Sequence, residues 1–204
     1  MRAPSTSQVV ASAACHDGIR HSRVVQVGDH SLLTTGHGAG AASKTRQVAL
    51  WDTRRLDSAL KDPLSSAIKT IEYDTGANYG NQLVPMFDGW DEGGRGLLFI
   101  AAKGEKNTNI YKICDGDINL LNEEVGLGTQ STSGACLLPR QALRHHENEV
   151  ARVLQLTGTA IKALSVRGKE EKEESSAAAP RSEWYPPTTQ GAPPSALTVE
   201  GYMG

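Results

Sequence analysis

The sequence predicts an all-β fold, and two features of the 204-residue chain support that prediction. Short segments rich in Val, Ile, Leu, Thr and Tyr recur along the chain, and Gly, Asp and Asn separate them at roughly eight to fifteen residues. Only residues 57–60 and 147–152 hint at helix, and neither stretch has the length or apolar periodicity of an independent helix. The predicted strands comprise residues 23–27, 31–35, 47–51, 67–73, 82–87, 96–102, 109–114, 117–121, 134–138, 149–156 and 161–166.

A Trp-Asp pair narrows the all-β prediction to a propeller. The second and third predicted strands flank a long loop, and the third strand ends in Trp51-Asp52, which is how a WD repeat closes. A second group of four strands follows at about the 40–45-residue period of such repeats, and a third, shorter unit covers residues 134–166. Residues 16–167 are therefore predicted to form a partial WD40-type β-propeller.

The same repeat predicts a structural tether inside the first blade. An indole N–H on the third strand and a hydroxyl on the second strand can share hydrogen bonds with a histidine from the loop that enters the blade. Trp51 supplies the indole, Thr34 or Thr35 supplies the hydroxyl, and His16 lies in the preceding loop. We therefore expect these side chains to hold the blade together.

The two ends of the chain are predicted to differ from the repeat region. Residues 1–15 are expected to be irregular. From residue 168 the composition becomes charged and then rich in proline, which is typical of a loop followed by an extended arm. In that arm Trp184 and Tyr185 precede two prolines, and we expect both aromatic side chains to dock on the blade formed by residues 134–166.

Beyond its Trp-Asp pair, the chain resembles one family of WD-repeat proteins. The stretch RQVALWDT at residues 46–53 resembles a segment of the coronins almost letter for letter. Separated islands are more specific than any single motif. The other stretches that resemble coronin sequences, in the same order, are residues 16–20, 32–36, 74–75, 83–87, 103–104, 139–140, 149–152, 185–188 and 196–198.

The resemblance implies both a fold and a function. Coronins have a seven-bladed propeller, so the chain is expected to contain about three of seven blades and an extended C-terminal arm, as a fragment, a short isoform or a faulty gene model would. The family implies a non-catalytic cytoplasmic and cytoskeletal protein that binds actin filaments, with other cytoskeletal proteins as further partners, and regulates actin organisation. The alternative is a generic WD-repeat scaffold that does not bind actin.

Basic side chains are the features best suited to an acidic partner such as actin. Those at predicted loops and strand ends are the strongest candidates, because propellers present their contacts there. For each one, an ordinary solvated position is the alternative. The candidate actin-facing residues are Arg46, Arg54, Arg55, Lys103 and Arg140.

No combination of residues points to catalysis, a metal or a cofactor. Residues 38–45 resemble a phosphate-binding loop, but a β-strand is predicted where such a loop needs a helix. His145 and His146 lack further ligands at the spacing that zinc needs, and the three cysteines are too far apart for a shared site. With a net charge of −2 and no apolar run of about 18 residues, we expect neither a nucleic-acid partner nor a membrane span.

Overall fold

The computed structural model describes residues 9–18, 20–39, 45–57, 59–73, 82–126, 130–144, 147 and 149–167. Within these ranges the chain contains strands joined by loops and two short 3-10 turns, at Thr53–Arg55 and Arg140–Ala142. The all-β prediction is confirmed. The strands are β1 (Arg23–Gln26), β2 (Ser31–His37), β3 (Arg46–Asp52), β4 (Lys69–Tyr73), β5 (Leu83–Gly89), β6 (Gly96–Ala102), β7 (Asn107–Cys114), β8 (Asp117–Gly126), β9 (Gly134–Leu137), β10 (Glu149–Leu156) and β11 (Ile161–Arg167).

Consecutive strands pair into three antiparallel sheets, which are the blades of a partial propeller. Strands β1 to β4 form blade 1, β5 to β8 form blade 2, and β9 to β11 form blade 3. The β2–β3 register is continuous from Ser31 opposite Asp52 to His37 opposite Arg46. This register matters for the site, because a shift by one residue would turn every side chain to the other face of the blade.

The first strands of the three blades run in the same direction. At one end, Arg23 Nη2 lies 3.3 Å from Gln82 Oε1, which joins the starts of β1 and β5. At the other end, Arg140 Nε lies 2.6 Å from Asp88 Oδ1 and joins the region after β9 to the end of β5. We call the end where β1, β5 and β9 begin the upper end, and the opposite end the lower end.

The core lies between neighbouring blades, and β6 at its centre is buried along its whole length. Leu98 and Ile100 pack in a cluster with Leu33 and Leu50 of blade 1. The alternate residues of β6, including Phe99, pack in a second cluster with side chains of blade 3. A strand covered on both faces needs a continuous apolar run, which explains the sequence GLLFIAA.

Blade 3 exposes apolar side chains on its outer side. Its described part has three strands, and β11 is the edge strand, with exposed and partly buried residues in alternation. Leu156 and Ile161 lie opposite each other in the β10–β11 pair and are 48% and 74% exposed. Their position in the register places them on the side of the blade that faces away from blade 2.

Some predictions concern residues outside the described ranges. Trp184 and Tyr185, with the rest of residues 168–204, are among them, and so are His145 and His146. Docking of the two aromatic residues on blade 3 therefore stays a prediction. Among the described residues, the structure contains no helix with the length and apolar character needed to cross a bilayer.

Candidate functional site

A hydrogen-bonded tether crosses blade 1 on its face away from blade 2. The Trp51 indole donates from Nε1 to Thr34 Oγ1 at 2.8 Å, and His16 Nε2 lies 2.9 Å from the same oxygen. On its other side, His16 Nδ1 lies 3.3 Å from Gln47 Oε1. Thr35, the alternative hydroxyl, points the opposite way because side chains alternate along a strand, and it is 1% exposed.

The segment before β1 brings His16 to this tether. Gly18 N donates to His37 O at 2.9 Å, and Leu64 N donates to Ala14 O at 3.2 Å, so the segment lies across the blade from one end towards the other. The contact with β2 is close. A Cβ on Gly36 would lie 2.3 Å from His16 Cγ, so a glycine at position 36 is needed for the histidine to fit.

The tether also shifts two pKa values. Burial alone would raise the pKa of Cys15, but its interactions with His16 outweigh burial and lower it. The pKa of His16 is raised, because its interactions with Cys15 and Gln47 outweigh the opposing effect of burial. Thr34 also lies 3.7 Å from the Cys15 sulfur. The polar groups of the tether form hydrogen bonds with one another, as expected of a cluster with a structural role.

Arg46 departs from its predicted place on an exposed surface. It is 1% exposed, because β3 begins at Arg46 and its side chain points between blades 1 and 2. Its Nη1 lies 2.5 Å from Glu105 Oε1, and its guanidinium lies 4.9 Å from the centre of the Tyr73 ring. Arg46 therefore clamps two blades together and cannot face an external partner.

Arg54 and Arg55 lie at the lower end, in the 3-10 turn that follows β3, and both are exposed. Arg54 holds Asp52 with two bonds, from Nε to Oδ1 at 2.9 Å and from Nη2 to Oδ2 at 2.8 Å. Hydrogen bonds from the side chain and then the backbone of Arg54 lower the pKa of Asp52 to about 2. Arg54 is thus committed to its own turn, whereas Arg55 is an exposed cation beside it.

Arg140 and Lys103 occupy different ends of the propeller. Arg140 binds both carboxylate oxygens of Asp88, at 2.6 and 2.8 Å, and its side chain is 20% exposed. This bidentate pair joins blade 3 to blade 2 at the lower end. Lys103 lies in the exposed β6–β7 turn at the upper end. The structure therefore divides the five candidate residues between two ends and does not gather them on one surface.

The blade-to-blade partners were not visible in the sequence. Glu105 lies 59 residues from Arg46, and Asp88 lies 52 residues from Arg140. Such pairs depend on how separate blades stack, and no local pattern predicts them.

A shallow pocket of about 480 Å³ opens at the lower end between blades 1 and 2. Trp90 and three acidic residues, Asp29, Asp91 and Glu92, are among its lining residues. Lys112 Nζ lies 5.9 Å from the Trp90 ring centre. Within the described part of the chain, no cluster of three His, Cys, Asp or Glu residues could hold a metal ion.

Two four-stranded sheets and one three-stranded sheet pack side by side as blades. Together with the Trp51 tether, they define a WD40-type propeller protein. No protein-family model matches the chain. The crystal structure of the WD40 domain from Toxoplasma gondii coronin is similar to it with a TM-score of 0.68 and 24% identity, over 88% of this chain and 42% of that one.

Sequence comparison indicates which family of WD40 proteins the chain resembles. Coronin-A of Dictyostelium discoideum is 27% identical over 202 residues, which are 98% of this chain and 39% of that protein. Coronin-7 of Homo sapiens is 35% identical over 159 residues, which are 78% of this chain and 15% of that protein. The chain therefore spans well under half the length of these relatives. It is a partial coronin WD40 region, and the resemblance seen in the sequence is confirmed.

Proposed function

We propose that the chain is a non-catalytic binding module of the cytoplasmic actin cytoskeleton, which attaches to actin filaments and helps to organise them. The observation that carries the proposal is the similarity to Coronin-A and Coronin-7. The architecture suits such a role, because rigid blades hold exposed turns at both ends where a partner can make contact. Of the five candidate residues, Lys103 is the one that we propose as a filament contact, because its side chain is exposed and forms no salt bridge with a described residue.

Cosedimentation of the full 204-residue chain with filamentous actin tests this proposal. We expect the chain to pellet with filaments at low salt and to pellet less as the salt concentration rises, because screening weakens contacts between exposed charges. A parallel spin without filaments measures self-pelleting. Absence of filament-dependent pelleting at every salt concentration would contradict the proposal.

A generic protein scaffold is the second candidate function. It is favoured by the internal use of three cations that were expected to face actin, since Arg46, Arg54 and Arg140 bind Glu105, Asp52 and Asp88. A chain that stays in the supernatant with filaments, yet captures other cytoskeletal proteins, would support the scaffold.

A further inference from the structure

We propose that the upper end of the blade 1–blade 2 boundary carries a basic rim that binds an acidic protein surface. The rim consists of Arg20, Arg23, Lys103 and Lys106. The inference rests on the proposed function in one respect, since the actin filament is the acidic surface that we expect the rim to bind. Of its four residues, Lys103 alone was visible as a candidate in the sequence.

A chain of contacts brings these residues together from different blades. Arg23, the first residue of β1, lies with Nη2 3.3 Å from Gln82 Oε1. The backbone oxygen of Gln82 accepts from Lys103 N at 2.9 Å. The Arg23 side chain is thus held beside the β6–β7 turn, and Lys106 lies in that same turn. Arg20 lies three residues before Arg23, in the segment that leads into β1 at the upper end.

All four cationic side chains are exposed. Neither Lys103 nor Lys106 takes part in a salt bridge with the residues that the structure describes. The partner of Arg23 is a neutral amide, which fixes the guanidinium without cancelling its charge. Arginine in such a fixed position suits bidentate binding of a carboxylate.

The carboxylate in the rim's own turn is held by an internal ion pair. Glu105 lies between Lys103 and Lys106 in sequence, but it binds the buried Arg46 and its side chain is 12% exposed. Because the charge of Glu105 is balanced by Arg46, Lys103 and Lys106 leave the β6–β7 turn positively charged.

The lower end has the opposite character, which decides between the two ends. Two of its exposed arginines are paired with local carboxylates, Arg54 with Asp52 and Arg95 with Asp115. The pocket at this end adds three acidic residues to its lining. An acidic partner would meet repulsion there and attraction at the upper end.

Charge reversal in the full chain tests the rim. The double variant, Lys103→Glu with Lys106→Glu, reverses the charge of two exposed turn residues. Arg55→Glu is the control for Lys103→Glu alone, because it reverses the charge of one exposed turn residue at the lower end. Binding is measured to actin filaments by cosedimentation and to fluorescent poly-L-glutamate by anisotropy, at low salt. Thermal unfolding of each variant verifies that the fold is kept.

We expect the double variant to bind both probes at least about tenfold more weakly than the parent, and Arg55→Glu to stay within about twofold. Parental binding of both probes by the double variant would overturn the rim, while filament binding by the parent would keep the proposed function. Lys103-dependent binding of poly-L-glutamate without filament binding would keep the rim and overturn the actin proposal. A parent that binds neither probe would overturn both.

Discussion

Trp51 is a large buried side chain that links two strands of blade 1. It is 2% exposed, and its indole N–H reaches the Thr34 hydroxyl at 2.8 Å. Replacement by alanine deletes a large buried group and removes the indole donor from the Thr34 hydroxyl. We expect Trp51→Ala to lower the free energy of unfolding by about 3–5 kcal/mol, measured by chemical denaturation. Trp51→Phe should cost less, because it keeps a ring and loses only the donor.

A control in the same blade separates this effect from any change in β-sheet residues. Val24 is 66% exposed on β1, so Val24→Ala should change the free energy of unfolding by less than about 0.5 kcal/mol. Equal stability of Trp51→Ala and the parent would show that the tether does not hold the blade.

The Arg46–Glu105 pair gives a second prediction at the residue scale. Glu105→Ala leaves the wholly buried Arg46 charge without its carboxylate, and we expect a loss of about 3–5 kcal/mol in stability. The double change Arg46→Met with Glu105→Ala removes both charges and should recover much of that loss. Denaturation midpoints of the three proteins are the measurement. A double variant no more stable than Glu105→Ala would contradict the role of this ion pair.

At the scale of single elements, the start of β10 makes blade 3 sensitive to acid. Glu149 is 1% exposed, and burial alone would raise its pKa. Hydrogen bonds from the Arg152 side chain and from Arg144 N outweigh burial and lower the pKa of Glu149 to about 2. Because the folded value lies below the usual one, the ionised carboxylate stabilises the fold at pH values above about 4.5, and this contribution is lost as the pH falls towards 2.

We therefore expect the stability difference between the parent and Glu149→Gln to be largest near neutral pH and to shrink as the pH falls from about 5 to 2. Denaturation at a series of pH values measures it. Val24→Ala, which changes an exposed residue without a titratable side chain, is the control and should run parallel to the parent. A difference that stays constant across this range would contradict the role of ionised Glu149.

The elements also show what a sequence can predict. Strand positions follow from local composition, and Trp51, Thr34 and His16 follow from one repeat signature, so both could be read from short stretches. The burial of Arg46 could not be predicted in this way, because it depends on whether the strand begins at residue 46 or 47. A start at Arg46 places its side chain on the same face as Val48 and Leu50, in the blade 1–blade 2 core.

At the scale of the whole molecule, the described blades have apolar side chains on surfaces that no other described residue covers. Leu156 and Ile161 lie on the outer side of blade 3, and Val9 and Val10 are 81% and 96% exposed before blade 1. Blades need neighbours to bury such surfaces. We expect the 204-residue chain, expressed alone, to be poorly soluble or to self-associate, as measured by light scattering after size exclusion.

A change on one of these surfaces provides the control. Leu156→Ser with Ile161→Ser should shift the population towards monomer, because it removes exposed apolar area without touching the clusters between blades. A parent chain that is monomeric and melts in one sharp transition would contradict the expectation.

Hydrogen–deuterium exchange of the chain, with and without actin filaments, tests most directly the claim that this partial coronin WD40 region meets a filament through its upper end. We predict slower exchange in peptides that contain Arg20 and Arg23 and in those that contain Lys103 and Lys106. Peptides covering the lower-end turn Thr53–Arg55 should exchange at unchanged rates. Protection of that turn with no change at the basic rim, or no protection anywhere, would contradict the account.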